Sequence, residues 1–323
     1  MAISRCCPKY LVLAYLVLVA TLVSLVACSE GVNSTGVASA PPMDSLVSAE
    51  WLSQNIDEPD LVVLDCSVLI EIDEGGAFRS INGRDNFEAG HIPGAGFADL
   101  LGELSDPGAE YEFTAPTPKA FATAMGKLGV GDDSRVVLYD TYNSAWAARV
   151  WWMLRWIGFD QAAILDGGLK AWKAAGQPLS TGPSSAVERE LSVALRPQLM
   201  ADINDVRAAI ADDSVVVIDA LPAEAYLGDW PMYDRPGHIA SAINSPSVLL
   251  LDEEGRFRSH DELDMMFEGD RDDRAITYCG GGIAAAQNAF VMTRLGFSDV
   301  AVYDHSLQEW AADPANPMET GSK

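Results

Sequence analysis

The second half of this 323-residue chain repeats the first. Val215-Val216-Val217-Ile218-Asp219 answers Val62-Val63-Leu64-Asp65, and Gly237-His238-Ile239 answers Gly90-His91-Ile92. Ile276-Thr277-Tyr278-Cys279 answers Val137-Leu138-Tyr139-Asp140. Gly296-Phe297 and Trp310 answer Gly158-Phe159 and Trp172, and both glycine-to-tryptophan separations are 14 residues. The period is far too long for a solenoid unit. The chain is a duplicated domain, and both copies must adopt one fold.

Within the first copy, apolar runs at Leu61–Asp65, Val136–Tyr139 and Ala163–Leu165 read as short buried strands. Helices are expected near Pro118–Leu128, over Ala145–Ile157 and over Leu169–Ala175. Strands alternating with helices imply a parallel sheet covered on both faces. The globular part starts near Leu46, and Pro-, Ser- and charge-rich sequence from Gly176 to Pro197 reads as a linker. The expected organisation is a first domain over 44–182, a linker over 183–199 and a second domain over 200–323.

The chemistry concentrates at Cys279. It follows the apolar run Ala275-Ile276-Thr277-Tyr278 and precedes Gly280, Gly281 and Gly282. Ile283, Ala286, Phe290, Val291 and Leu295 then recur at helical spacing, with Gly296 at the expected C-cap. The order is strand, tight loop, helix. Glycines let successive N–H groups converge on one point and form an anion nest. The helix N-terminus adds positive potential. Both favour a thiolate, and equally a persulfide, which makes Cys279 a candidate nucleophile. A capping core cysteine is the plainer alternative. Three glycines in a row weigh against it, because each costs chain entropy and buries no side chain. The matching position in the first copy is Asp140, which cannot carry sulfane sulfur. So the first domain reads as inactive and the second as active, with Cys279 expected in the cleft between them.

The formal net charge of -26 argues against nucleic acid and anionic membrane surfaces as partners. The cysteines are Cys6, Cys7, Cys28, Cys66 and Cys279, with no CxxC pair and no His/Cys cluster, so no structural zinc or other cofactor is called for. Residues 1–27 carry Arg5, Lys9 and an apolar run of 18 residues from Tyr10 to Ala27, the pattern of a secretory signal. Leu25-Val26-Ala27-Cys28 resembles the lipobox of bacterial lipoproteins, which implies lipidation at Cys28. An uncleaved membrane anchor is the alternative. Ser29 after the cysteine then implies the outer membrane, facing the periplasm. Residues 28–43 read as a flexible tether.

The motifs together resemble the two-domain rhodanese / 3-mercaptopyruvate sulfurtransferase family. They are GHIPGA at 90–95, AAR-x-WW at 147–152, LDGG at 165–168, CGGGIAAA at 279–286 and YDHSLQEWAADPANPMETG at 303–321. The resemblance covers about residues 44–323 and implies two tandem rhodanese-like α/β domains. It also implies sulfur transfer through a Cys279 persulfide. The donor would be a small anion, thiosulfate or 3-mercaptopyruvate, and the acceptor cyanide, a thiol or a small thioprotein. Cys279, Gly280, Gly281, Gly282, Ile283 and Ala284 would form the loop that holds the outer sulfur.

Departures from the family pattern are equally visible. The loop carries no basic residue, and Gly281 stands where mercaptopyruvate-preferring members have serine. Leu221 and Ala225 stand where the second domain often has arginines for the donor's anionic group. Arg235 is the nearest remaining cation in sequence and the candidate replacement. A non-catalytic, lipid-anchored sulfur carrier is the alternative function. A Cys-dependent phosphatase is set aside because position 285 is Ala285 rather than arginine.

Other residues invite bland readings. Cys66 reads as a core thiol rather than a resolving one. Trp146, Trp151, Trp152 and Trp156 read as a helix face buried against a sheet or the other domain. His91 and His238, and Asp65 and Asp219, match between the copies and read as structural.

Overall fold

The computed structural model describes residues 43–72, 78–230, 232–233, 235–267 and 269–321. The expected signal segment 1–27, Cys28 and all of the expected tether but Met43 lie outside the described residues. Among the described residues no helix is long and apolar enough to cross a membrane.

The first half contains β1 (Leu46–Val47), α1 (Ala49–Asn55), β2 (Leu61–Asp65), the hairpin β3 (Val68–Ile72) and β4 (Phe78–Asn82), α2 (Arg84–Ala89) and β5 (Gly96–Phe97). It continues with α3 (Pro118–Lys127), β6 (Arg135–Tyr139), α4 (Ala145–Trp156), β7 (Ala162–Leu165) and α5 (Gly168–Ala174). The second half contains β8 (Met200–Ala201), α6 (Ile203–Ala209), β9 (Val215–Asp219), α7 (Ala223–Leu227), β10 (His238–Ile239) and β11 (Ile243–Asn244). Then come α8 (His260–Asp264), β12 (Arg274–Tyr278), α9 (Ile283–Arg294), β13 (Val300–Tyr303), α10 (Ser306–Trp310) and β14 (Met318–Glu319).

The two main sheets have one topology. The first runs β1-β7-β6-β2-β5, and the second runs β8-β13-β12-β9-β11 when read from the matching edge. All pairings within both are parallel. The strands are apolar on both faces because helices cover both. Local signals set the helix starts: Thr117 caps α3 ahead of Pro118, and Asp202 and Asp205 form a reciprocal capping box on α6.

The residues that repeat in sequence do matched work. Ile92 N–H donates to the Tyr139 hydroxyl at 3.2 Å, and Ile239 N–H to the Tyr278 hydroxyl at 3.0 Å. Each tyrosine in turn bonds the aspartate ending the neighbouring strand, Asp65 or Asp219. His91 bonds Phe87 O and stacks on Phe87; His238 bonds Tyr226 O and stacks on Tyr226. Conserved spacing here fixes the turn, not the chemistry.

The halves meet along α4 and α9, which pack on each other. Helix α4 is buried along ten successive residues, Ala145 to Leu154, because its own sheet takes one side and α9 the other. Trp151 meets Phe290 edge-on at 4.8 Å, and the Trp152 indole N–H donates to Leu199 O at 2.9 Å. One apolar cluster runs through both domains.

Candidate active site

Strand β12 lies between β9 and β13 and delivers Cys279 at its carboxyl end. Helix α9 begins four residues on, after Gly282 turns the chain with φ of +77°. Ser306, at the start of α10, pins this loop. Its Oγ accepts from Cys279 N–H at 3.1 Å and from Gly282 N–H at 3.2 Å, and donates to Tyr303 O at 2.7 Å. The next two amides of α10 close the clamp: Leu307 N–H donates to Cys279 O at 3.1 Å, and Gln308 N–H to Gly280 O at 3.0 Å. Ser306 holds φ of +51° to do this, a strained value for a side-chain-bearing residue.

The three glycines admit neighbours that any side chain would evict. A Cβ on Gly280 would fall 1.8 Å from the Tyr233 hydroxyl oxygen. One on Gly281 would fall 2.6 Å from Gln308 Nε2, and one on Gly282 2.9 Å from Arg149 Nη1. Three side-chain donors therefore press on the loop beside its own amides. They also close it over, so the Cys279 side chain is only 3 % exposed. Gly280, Gly281 and Gly282 are buried, and Ile283 and Ala284, the first turn of α9, are half-buried.

The first domain supplies part of this site. Arg149 is 0 % exposed; its Nη2 donates to Phe113 O at 2.8 Å and is ion-paired to Asp304. Asp304 also accepts from Ala115 N–H at 2.9 Å. Arg149 Nε and Nη1 have no hydrogen-bond partner among the described residues. The contact is reciprocal: Gln287 of α9 donates to Asn143 O at 2.7 Å, and Asp166 accepts from Phe257 N–H at 2.9 Å. A cleft of about 990 Å³ lies nearby in the first domain, walled in part by Tyr111, Glu112 and Phe113. Cys279 is not in its lining; the Glu112 carbonyl, 3.6 Å from a Cβ on Gly281, is the link between cleft and loop.

The corresponding turn of the first domain holds a side chain of its own. There the carboxylate of Asp140 fills the nest. One oxygen accepts from Tyr142 N–H at 2.9 Å and Ser144 N–H at 3.0 Å, the other from Ala147 N–H at 3.1 Å. Burial pushes this carboxyl above its ordinary range, and the amides pull it back. Ser144 takes the left-handed position that Gly282 takes in the second domain.

One assignment from the sequence is corrected. Arg235 does not face a donor site. Its guanidinium is spent on four backbone carbonyls, those of Trp310, Ala311, Asp313 and Asn316, at 2.7–3.0 Å. It ties the chain before β10 to the end of α10, and a fork of donors matched to exposed carbonyls outcompetes a ligand. Leu221 and Ala225 are buried, so neither position offers a charge. Cys66 is fully buried, and burial pushes its thiol far above the usual range. Both described cysteines are free thiols.

The sequence reading missed Ser306, Arg149, Asp304, Tyr233 and Gln308. Ser306 and Asp304 stand inside the YDHSLQEW motif, and Arg149 is the one charge in the apolar stretch AWAARVWWML. A charge kept in such a stretch was the available signal. Tyr233 carried none.

The sequence matches the rhodanese-like domain family over residues 48–175 and 202–313. It is 35 % identical over 285 residues to a probable 3-mercaptopyruvate sulfurtransferase of Pseudomonas aeruginosa, covering 85 % of this chain and 98 % of that one. It is 34 % identical over 279 residues to the 3-mercaptopyruvate sulfurtransferase of Escherichia coli, with 84 % and 97 % covered. The crystal structure of the 3-mercaptopyruvate sulfurtransferase SseA from Escherichia coli superposes with a TM-score of 0.73 at 33 % identity, over 82 % of this chain and 99 % of that one. The chain belongs to the rhodanese family, with two rhodanese-like domains in tandem. Within that family it is a sulfurtransferase of the 3-mercaptopyruvate/thiosulfate type.

Proposed function

We propose that Cys279 is the nucleophile and carries the transferred sulfur as a persulfide. The observation that supports this best is the matched pair of turns. In one domain the turn encloses a carboxylate with three N–H groups; in the other the same position holds a thiol. A turn that binds an anion in one copy suits a thiolate and its persulfide in the other.

With thiosulfate, the Cys279 thiolate attacks the outer sulfur, a Cys–S–S⁻ bond forms, and sulfite leaves with the bonding pair. With 3-mercaptopyruvate, the carbon–sulfur bond breaks toward carbon, and the thiol proton ends on the methyl group of pyruvate. Cyanide, a thiol or a thioprotein then attacks the outer sulfur and restores the thiolate. We place the protein at the cell envelope, held by a lipid on Cys28 with the tether 28–43 between lipid and enzyme.

Both donors are to be assayed with cyanide as acceptor, on wild type and Cys279→Ser. Thiocyanate formed by wild type and abolished in the variant is the expected result. A Cys279 peptide heavier by about 32 Da, one sulfur atom, without thiocyanate turnover would make the protein a sulfur carrier instead. An intact mass with residues 1–27 retained would remove the lipid anchor.

A further inference from the structure

We propose that the Tyr233 hydroxyl is a hydrogen-bond donor to the sulfur carried on Cys279. This rests on the assignment of Cys279 as the sulfur carrier.

Among the described residues, four of the five other buried or half-buried tyrosines have a hydrogen-bonded hydroxyl; the fifth, Tyr111, lines the open cleft of the first domain. Tyr139 bonds Asp65, Tyr226 donates to Ala242 O at 2.8 Å, Tyr278 to Asp219 at 2.7 Å, and Tyr303 to Glu309 at 2.6 Å. Tyr233 differs. Its ring packs against the core cluster, and its oxygen lies against Gly280, the residue after Cys279. Among the described residues the hydroxyl has no acceptor there. A sheltered tyrosine hydroxyl ordinarily finds a partner. The anion that the loop is built for supplies one.

The environment keeps this group a donor. Burial first, then the charges of Cys279 and Asp219, push its ionisation up, so it stays protonated throughout the working range. A hydroxyl here also answers two gaps in the site. Gly281 offers no hydroxyl, and Leu221 and Ala225 offer no positive charge. A neutral donor stabilises thiolate and persulfide alike. It is made possible by the missing Cβ at position 280.

The test follows Cys279 alkylation by iodoacetamide against pH, together with the rate of sulfur loading from thiosulfate and from 3-mercaptopyruvate. The variant is Tyr233→Phe, with thermal unfolding as the check on fold. The midpoint of the alkylation profile is expected to rise by about one to two pH units, the loss of one bond to a charged acceptor. Loading should slow about tenfold or more. Superimposable profiles overturn the proposal. Should Tyr233→Phe not fold, Gly280→Ala keeps the test alive, because its Cβ displaces the hydroxyl; the same upward shift supports the proposal and an unchanged profile overturns it. If wild-type Cys279 never gains the sulfur adduct, the carrier assignment itself fails. If it gains the adduct and the variant behaves as wild type, only Tyr233 is reassigned.

Discussion

Arg149 of the first domain and Asp304 of the second form an ion pair beside Gly282, across the domain seam, with the guanidinium buried and the carboxylate 16 % exposed. The half with Asp140 at the matching position thus contributes a charge to the half that holds Cys279. Arg149→Met leaves Asp304 without its cation and is expected to cost about 1.5–3 kcal/mol in urea unfolding, since the carboxylate left behind is partly solvated and keeps the Ala115 N–H. Arg149→Lys should recover part of the loss, because the guanidinium reaches both Phe113 O and Asp304 through the single nitrogen Nη2, and one ammonium can donate to both. A loss under about 1 kcal/mol for Arg149→Met would show the pair to be dispensable.

Ser306 pins the loop that follows Cys279. Ser306→Ala strips the acceptor from two buried amides, Cys279 N–H and Gly282 N–H. Each unpartnered buried donor costs about 1–3 kcal/mol, and the loop relaxes to avoid it. The expected outcome is a fall in kcat of about tenfold or more with KM moved far less. Steady-state kinetics with either donor reads this directly. A change confined to KM would assign Ser306 to donor binding instead.

Asp219 gives the fold a pH dependence of unusual sign. Burial raises its carboxyl to about 7, against the bonds from the Tyr278 hydroxyl and Leu221 N–H. The folded state therefore holds a proton that the unfolded chain releases near its ordinary value of 3.8. The native state binds more protons between these limits, so this contribution is complete below the lower one. It is lost as pH rises toward about 7. Asp219→Asn removes the titration. Unfolding midpoints of wild type should fall by more than those of the variant between about pH 4 and pH 7. Parallel curves would show that Asp219 titrates normally.

Much of this was legible in the chain because the repeat presents each feature twice. A strand ending in aspartate, a Gly-His-Ile turn and a tyrosine before the loop recur because they form one hydrogen-bonded chain, Ile to Tyr to Asp. Periodicity placed α4 and α9 well, since long helices under continuous burial leave long apolar patterns. What escaped was the polar traffic between the halves. Arg149, Asp304 and Gln287 are ordinary surface residue types, and only the docking of one domain on the other brings their partners to them. Arg235 misled for a related reason: nearness in sequence to a binding loop does not say which way a long side chain turns. Its carbonyl partners lie more than 70 residues away.

The tryptophan-rich seam has a bearing on how small this protein can become. A cut within residues 183–199 would bare Trp151 and Trp152 on one fragment and Phe290 on the other. It would also strand Asp304 without its guanidinium. Neither piece would be a minimal catalyst; each would be an adhesive half seeking its mate. The copy with Asp140 in place of a cysteine is therefore not spare: it is the other wall against which the copy holding Cys279 packs.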